Sequence, residues 1–252
     1  MPTRVFTTMG TVVSLRTDEP LADVVVDWVR ETFDRFDAQF SLYRDDSEIS
    51  RLAAGDLRLG DTSDTFRRTY ADALEWRSAT SGLFTPHRPD GVIDLSGIVK
   101  AAAIADAGTI LDTAVTGDWI LNCGGDVLMR SSAPTAVGIT DPHAPGRIAT
   151  ALTVAAPRRA VASSGSAERG EHIWGVATGI AQATVVADDI VMADVLATAI
   201  VAGGTELLDT LTMTHRIDAL VIAPDGAISA TPGIRLADPS FTTGVPEPAD
   251  QK

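Results

Sequence analysis

Cysteine is nearly absent from this chain of 252 residues, and the single Cys123 excludes both an internal disulfide framework and a cysteine-based zinc cage. Lysine is almost as rare. Of twenty basic residues only Lys100 and Lys252 are lysines, so the basic positions are otherwise filled by arginine. The four histidines include no pair at a metal-ligand spacing, which argues against zinc. Positive charge is scarce as a whole: the formal net charge is -14, and nucleic acid and anionic membrane both bind through clustered positive charge, so neither is expected as a partner. The acidity fits solubility better. No run approaches the roughly 20 apolar residues that span a bilayer. Met1 to Phe6 lacks the apolar core of a secretory signal, so a cytoplasmic chain is expected. Gly-x-Gly-x-x-Gly and phosphate-loop motifs are missing, and Ser163, Ser164 and Ser166 do not form a nucleophile elbow.

What is present is the composition of a globular domain, 45% hydrophobic with no internal repeat or low-complexity linker. Arg4 to Leu15 reads as a strand broken by a Met9-Gly10-Thr11 turn. After Pro20, Val25, Trp28, Val29, Phe33, Phe36 and Phe40 recur at three- and four-residue spacing, the stripe of a core helix. A second helix starts at Ser63 or Asp64, carries Phe66, Tyr70 and Leu74 on one face and stops by Gly82. A third follows Ser96-Gly97 to about Leu111. Strands are expected at 119–123, 126–129, 136–139, 151–155, 160–162 and 183–187. A helix at 190–202, capped by Asp188 or Asp189 and ended by Gly203-Gly204, precedes a short helix at 206–213 and a hairpin turning at Pro224-Asp225-Gly226. Helices interspersed with tightly turned strands, without regular alternation, imply an α+β domain with mostly antiparallel sheet. One domain of two lobes over 1–236 is expected, with 237–252 as a loose polar tail.

Four segments have the residue types of a functional site. Asp94-Leu-Ser-Gly-Ile-Val-Lys100 joins an acid, a small-residue turn and a compact cation at the start of an alanine-rich helix; a cramped place beside a phosphate favours lysine over the wide guanidinium fork. Asp194 and Thr198, four apart on a helix, turn two oxygens the same way, a pattern suited to a hard cation such as magnesium. The same pair equally fits a helix-dipole carboxylate and a threonine bonded to its own backbone. His172, in a loop after Ser163-Ser-Gly165, has the near-neutral pKa of a general base, although loop histidines are commonly just solvated. Asn122-Cys-Gly-Gly-Asp126 either brings backbone close to a ligand or is a plain hairpin turn.

In serial order these pieces resemble the ApbE-like FAD:protein FMN transferases. The resemblance runs through Met9-Gly-Thr11, Ser41-Leu-Tyr43 with Ser47-Glu48, Gly82-Leu-Phe-Thr-Pro86, Asp94 to Lys100 with Asp106, Asn122 to Asp126, Ser164-Gly165, His172-Ile173 with Thr178-Gly179, and Ala193 to Thr198. It implies a T-fold-like domain that splits the FAD pyrophosphate, transfers FMN to a threonine hydroxyl of an acceptor flavoprotein and releases AMP. It also implies a magnesium ion held by Asp194, Thr198 and the Gly97 carbonyl, flavin contacts at Met9, Tyr43, Leu83, Phe84, Thr85, Asp94, Lys100 and Ile173, and His172 as the base. In this reading Lys100 tunes the contact with FAD rather than performing chemistry. Three departures stand out. His172-Ile-Trp-Gly-Val176 replaces the usual His-Ile-Ile-Asp-Pro, Thr85 stands where Phe-Asp-Pro is common, and Ala101 follows Lys100 where glycine is usual. The alternatives are an FAD pyrophosphatase on the same scaffold and a non-catalytic FAD-binding protein.

Overall fold

The structure is a computed structural model that describes residues 1–144, 146–165 and 179–237. Its ten strands are β1 (Thr3–Thr8), β2 (Thr11–Thr17), β3 (Trp119–Cys123), β4 (Asp126–Arg130), β5 (Thr135–Thr140), β6 (Ile148–Val154), β7 (Ala160–Gly165), β8 (Gln182–Ala187), β9 (Asp218–Ile222) and β10 (Ile228–Ala230). The five α-helices are α1 (Asp23–Phe40), α2 (Glu48–Ala54), α3 (Asp64–Ala79), α4 (Ser96–Ala114) and α5 (Ile190–Thr214). Eight strands form one sheet in the order β1-β2-β3-β4-β7-β8-β9-β10, and β5 pairs with β6 in a separate hairpin. Every neighbouring pair is antiparallel, so the fold is the α+β arrangement that the pattern of turns implies.

The strand period of two explains how one sheet serves two cores. In β7, β8 and β9, Ala160, Ala162, Ala183, Val185, Ala187, Ala219 and Val221 point into the main core with the helices. Their alternates Val161, Val186, Leu220 and Ile222 join Val137, Ile139, Leu152 and Val154 of the β5–β6 hairpin in a smaller cluster. The hairpin therefore covers one face of the sheet and the helices the other. Alanine dominates the helix-facing set, which lets α5 lie close on β7 and β8. Gly108 does the same for α4: a Cβ there would come within 2.5 Å of Leu128 and 3.4 Å of Trp119.

Phe33, Phe36 and Phe40 of α1 are buried as their spacing requires, and Phe40 stacks on Phe66 of α3 with centroids 5.2 Å apart. Burying each such ring stabilises the fold by roughly 2 kcal/mol. Two members of the expected stripes do not join them: Trp28 is 48% exposed and Leu74 37%. They lie at the margins of their stripes, and a three-to-four-residue spacing defines a face more closely than its edges. The two helices expected after Asp189 form one run, α5, kinked at Gly204 (φ 74°, ψ -164°), a conformation essentially restricted to glycine. Asp189 caps it by accepting from Met192 N at 2.8 Å. The short α2 was not expected; Ser47 caps it by accepting from Ser50 N, and Gly55 ends it in the left-handed region. Ser163, Ser164 and Gly165, expected to lead into a loop, are the end of β7.

Among the described residues, one helix, α5, is long and apolar enough to cross a membrane, but 67% of its apolar window is buried inside the fold, where it packs on α4 and the sheet. Residues 235–237 run beside β6, with Ala237 N donating to Ala151 O at 2.8 Å. Of the expected tail, 238–252 lies outside the described residues.

Candidate functional site

A cleft of about 900 Å³ opens where the β1–β2 turn, the C-terminal end of α1, the 82–88 loop, the first turns of α4 and the middle of α5 meet. Its walls contain Met9, Tyr43, Leu83, Phe84, Thr85, Asp94, Gly97, Lys100 and Thr198, residues spread along most of the chain. Every expected flavin contact among the described residues lies there. His172 and Ile173 are outside the described residues.

Local sequence explains how each wall is held. Thr8 pairs with Thr11, leaving a two-residue hairpin loop in which Met9 and Gly10 both have positive φ, 47° and 70°. Such loops require this geometry, and it carries Met9 to the cleft at a modest strain cost for a non-glycine residue. Asp94 Oδ1 accepts from Ser96 N at 2.9 Å, and Asp94 N donates to Pro86 O at 2.9 Å. One aspartate thus starts α4 and ties it to the 82–88 loop. Gly97 lies under Phe84, where a Cβ would meet Cε2 of the ring at 3.0 Å. Thr85, standing in place of the more usual aspartate, accepts from His87 N at 3.3 Å and so retains a side-chain bond in the turn. Ala101 is fully buried, so its methyl group belongs to the core and not to the cleft. Tyr43 is 96% exposed at the mouth, leaving its ring available for stacking.

The cations that line the cleft are each already matched with an aspartate. Arg44 lies 3.2 Å from Asp46 and 3.7 Å from Asp37, Arg88 is 3.2 Å from Asp90, and Lys100 Nζ is 2.5 Å from Asp126 Oδ2. The hydrogen bond to Arg44, with its charge, holds the exposed Asp46 carboxyl below the usual carboxylate range. Below the cleft wall, Asp194 is fully buried one helical turn before Thr198. The Thr198 hydroxyl is 2.9 Å from Ser164 Oγ of β7, which is itself 1% exposed. Cys123 is buried close by; burial above all pushes its thiol up to about 12, with Asp126 and Asp194 adding to the rise and Lys100 opposing it. The thiol is therefore neutral at physiological pH.

The serial motifs and the single cleft that gathers them are matched by the sequence comparison, in which the chain matches the ApbE family over residues 9–87 and 85–221. It belongs to the ApbE family. The fold agrees with solved ApbE structures. The ApbE protein from Thermotoga maritima superposes with a TM-score of 0.73 at 19% identity, covering 92% of this chain and 97% of that one. Flavin transferase ApbE from Vibrio cholerae gives 0.70 at 17%, covering 91% and 96%. The apo flavinyl transferase ApbE from Pseudomonas stutzeri gives 0.72 at 17%, covering 92% and 96%. No individual curated protein matches the sequence.

Two lining residues were invisible to sequence reasoning, and so was the pairing of Asp126, which does not line the cleft. His87, which is bonded to the Tyr70 hydroxyl through Nε2 at 3.0 Å, and Arg88 carry no motif of their own. Asp126, expected at the head of a strand in the segment that either approaches a ligand or simply turns, is 1% exposed and pairs with Lys100. A charged residue placed directly after Gly124-Gly125, ahead of the apolar run Val127 to Met129, was the available signal.

Among the described residues no cluster of three or more His, Cys, Asp and Glu side chains forms a metal cage. The donor set expected from the sequence resemblance, Asp194, Thr198 and the Gly97 carbonyl, is of another kind: one buried carboxylate, one hydroxyl and one backbone carbonyl, all oxygen. Such a set fits magnesium, which binds through one or two carboxylates and keeps several waters, and does not fit zinc.

Proposed function

We propose that this ApbE-family chain is an FAD:protein FMN transferase that binds FAD in the 900 Å³ cleft, moves FMN to a threonine hydroxyl of an acceptor protein and releases AMP. The observation that carries the reading is that the residues implied as flavin contacts, dispersed from Met9 to Lys100, line one cleft together with Gly97 and Thr198. In the reaction the threonine oxygen forms a bond to the phosphorus of the FMN half and the bridging P–O bond of the pyrophosphate breaks. AMP leaves with the bridging oxygen, and the hydroxyl proton passes to His172, the proposed base.

Charge sets the main requirement. A pyrophosphate brings negative charge to a cleft whose lining cations are each matched with an aspartate. Asp194, Thr198 and the Gly97 carbonyl are the proposed ligands of a magnesium ion, which when bound neutralises charge on the pyrophosphate as it develops. The protein's own residues do the rest. Tyr43 offers a ring at the mouth, Phe84 and Leu83 supply an apolar wall, and Ser164 fixes the Thr198 hydroxyl. A cytoplasmic location is part of the same proposal.

His172→Ala tests the assignment of the base. The variant is expected to bind FAD with unchanged affinity, read from flavin fluorescence, and to release AMP at least about a hundredfold more slowly in the presence of acceptor. Wild-type rates of AMP release would remove His172 from the reaction.

A further inference from the structure

His87 is the one histidine in the cleft lining among the described residues. Its backbone is held on both sides. The His87 N–H donates to Thr85 Oγ1 at 3.3 Å, Asp94 N donates to Pro86 O and Arg88 N to Val92 O, both at 2.9 Å, and His87 forms an antiparallel bridge with Ile93. The ring is held as well. Its Nε2 is 3.0 Å from the Tyr70 hydroxyl of α3, and the two rings meet edge to face at 84° with centroids 5.8 Å apart. Tyr70 packs against the main core and is not part of the cleft lining, so this bond turns Nε2 away from the cleft. The other ring nitrogen, Nδ1, has no hydrogen-bond partner among the described residues. Unlike Arg44 and Arg88, each beside an aspartate, His87 is tied to a neutral hydroxyl.

A polar atom of fixed direction near the apolar Leu83 and Phe84 is the kind of group that confers specificity: an apolar wall rejects isosteric ligands poorly, whereas a group built to hydrogen-bond rejects them strongly. We infer that His87 is a specificity-determining contact for the isoalloxazine ring of FAD and that Tyr70 positions it. The Tyr70 hydroxyl donates to Nε2, the proton of the neutral imidazole is therefore on Nδ1, and Nδ1–H donates to a carbonyl oxygen of the flavin ring. This rests on the cleft being the proposed FAD site. The pyrophosphate oxygens are the other strong acceptors that FAD brings, and they belong beside the proposed magnesium ligands Gly97, Asp194 and Thr198. The ring belongs with Leu83, Phe84 and Thr85, the segment that leads directly into His87. Without the Tyr70 hydroxyl either ring nitrogen can carry the proton, and a donor toward the cleft is no longer assured.

The test sets FAD beside riboflavin, which has the ring without the pyrophosphate, and ADP, which has the pyrophosphate without the ring. In His87→Asn the amide takes about the place of Nδ1, and in His87→Gln about the place of Nε2. His87→Asn is therefore expected to bind FAD and riboflavin within about threefold of wild type, and His87→Gln roughly tenfold more weakly, the worth of one hydrogen bond in an enclosed site. ADP affinity stays unchanged in both. Tyr70→Phe weakens riboflavin binding several-fold in the wild-type background and has no effect in His87→Gln, because it acts through the histidine alone. Nitrogen-15 NMR of the ligand-free wild type reads the tautomer without any variant, with the proton expected on Nδ1. Equal losses in His87→Asn and His87→Gln overturn the Nδ1 contact, and a loss for ADP as large as that for riboflavin overturns the assignment to the ring. A proton on Nε2 in wild type, or an undiminished effect of Tyr70→Phe in His87→Gln, overturns the positioning role of Tyr70. Full FAD affinity in His87→Gln overturns the contact and leaves the FAD reading intact, whereas a wild type that binds neither FAD nor riboflavin overturns that reading and the contact with it.

Discussion

Replacing Thr198 with valine removes a hydroxyl while nearly preserving shape, and that hydroxyl has one task in the structure and a second in the proposed reaction. The first is packing. Ser164 Oγ is 2.9 Å from Thr198 Oγ1, and Ser164 is 1% exposed, so water does not replace the lost partner. Leaving a buried hydroxyl unmatched costs about 1–3 kcal/mol. For a domain of this size each kcal/mol moves the unfolding midpoint by about 2–4 °C, so a loss near 2 kcal/mol lowers it by about 4–8 °C. The second task is ligation. Because Thr198 lines the cleft and Asp194 remains, the variant is expected to keep metal-free FAD binding and to need roughly tenfold more magnesium for turnover. Thr198→Ser restores the hydroxyl and recovers most of both effects. The assay is calorimetric unfolding of the three proteins beside AMP release across a magnesium titration. An unchanged midpoint refutes the packing argument, and an unchanged magnesium dependence refutes the ligand assignment.

Other perturbations follow the same geometry. Gly97→Ala places a Cβ 3.0 Å from the Phe84 ring, and displacing that cleft wall is expected to weaken FAD binding several-fold while costing about 1 kcal/mol of stability; unaltered FAD affinity by fluorescence titration would count against Phe84 as a flavin wall. Gly204→Ala forces a side chain into a glycine-only conformation at the α5 kink, with an expected loss of about 1–3 kcal/mol in denaturant unfolding, and a loss below about 0.5 kcal/mol would contradict the kink. Cys123 gives a pH prediction. Its thiol is raised from 9.0 to about 12, so the folded state holds the proton more tightly than the unfolded state. That contribution is complete below pH 9 and is lost as pH rises toward about 12, so wild type should lose stability relative to Cys123→Ala across that window; a flat difference would contradict burial of the thiol. Asp194→Ala is expected to abolish magnesium-dependent AMP release, and full turnover would remove the proposed metal site.

Much of the architecture was legible because it rests on local signals. The positive-φ turn at Met9-Gly10, the phenylalanine stripe of α1 and the Ser63 cap of α3 each follow from a few adjacent residues. The helix α2 is only seven residues long, too short for periodicity to reveal, although Ser47 and Gly55 bracket it with proper caps. Whether α5 stops or kinks at Gly203-Gly204 depends on packing, since a Cβ at Gly203 would lie 2.6 Å from Leu83 of the cleft. The site was legible as an ordered series of motifs but not as a shape. Met9, Thr85 and Thr198 become neighbours only through the fold. Asp126 was hidden because a carboxylate after two glycines reads as a turn until its distance from Lys100 is known.

The central claim is covalent transfer, and it is tested most directly by intact-mass measurement of a threonine-bearing acceptor incubated with this protein, FAD and magnesium, with AMP quantified in the same sample. The account predicts an acceptor heavier by one FMN, one AMP released per acceptor modified, and no mass gain when the acceptor threonine is replaced by alanine. AMP and free FMN with an acceptor of unchanged mass would contradict it.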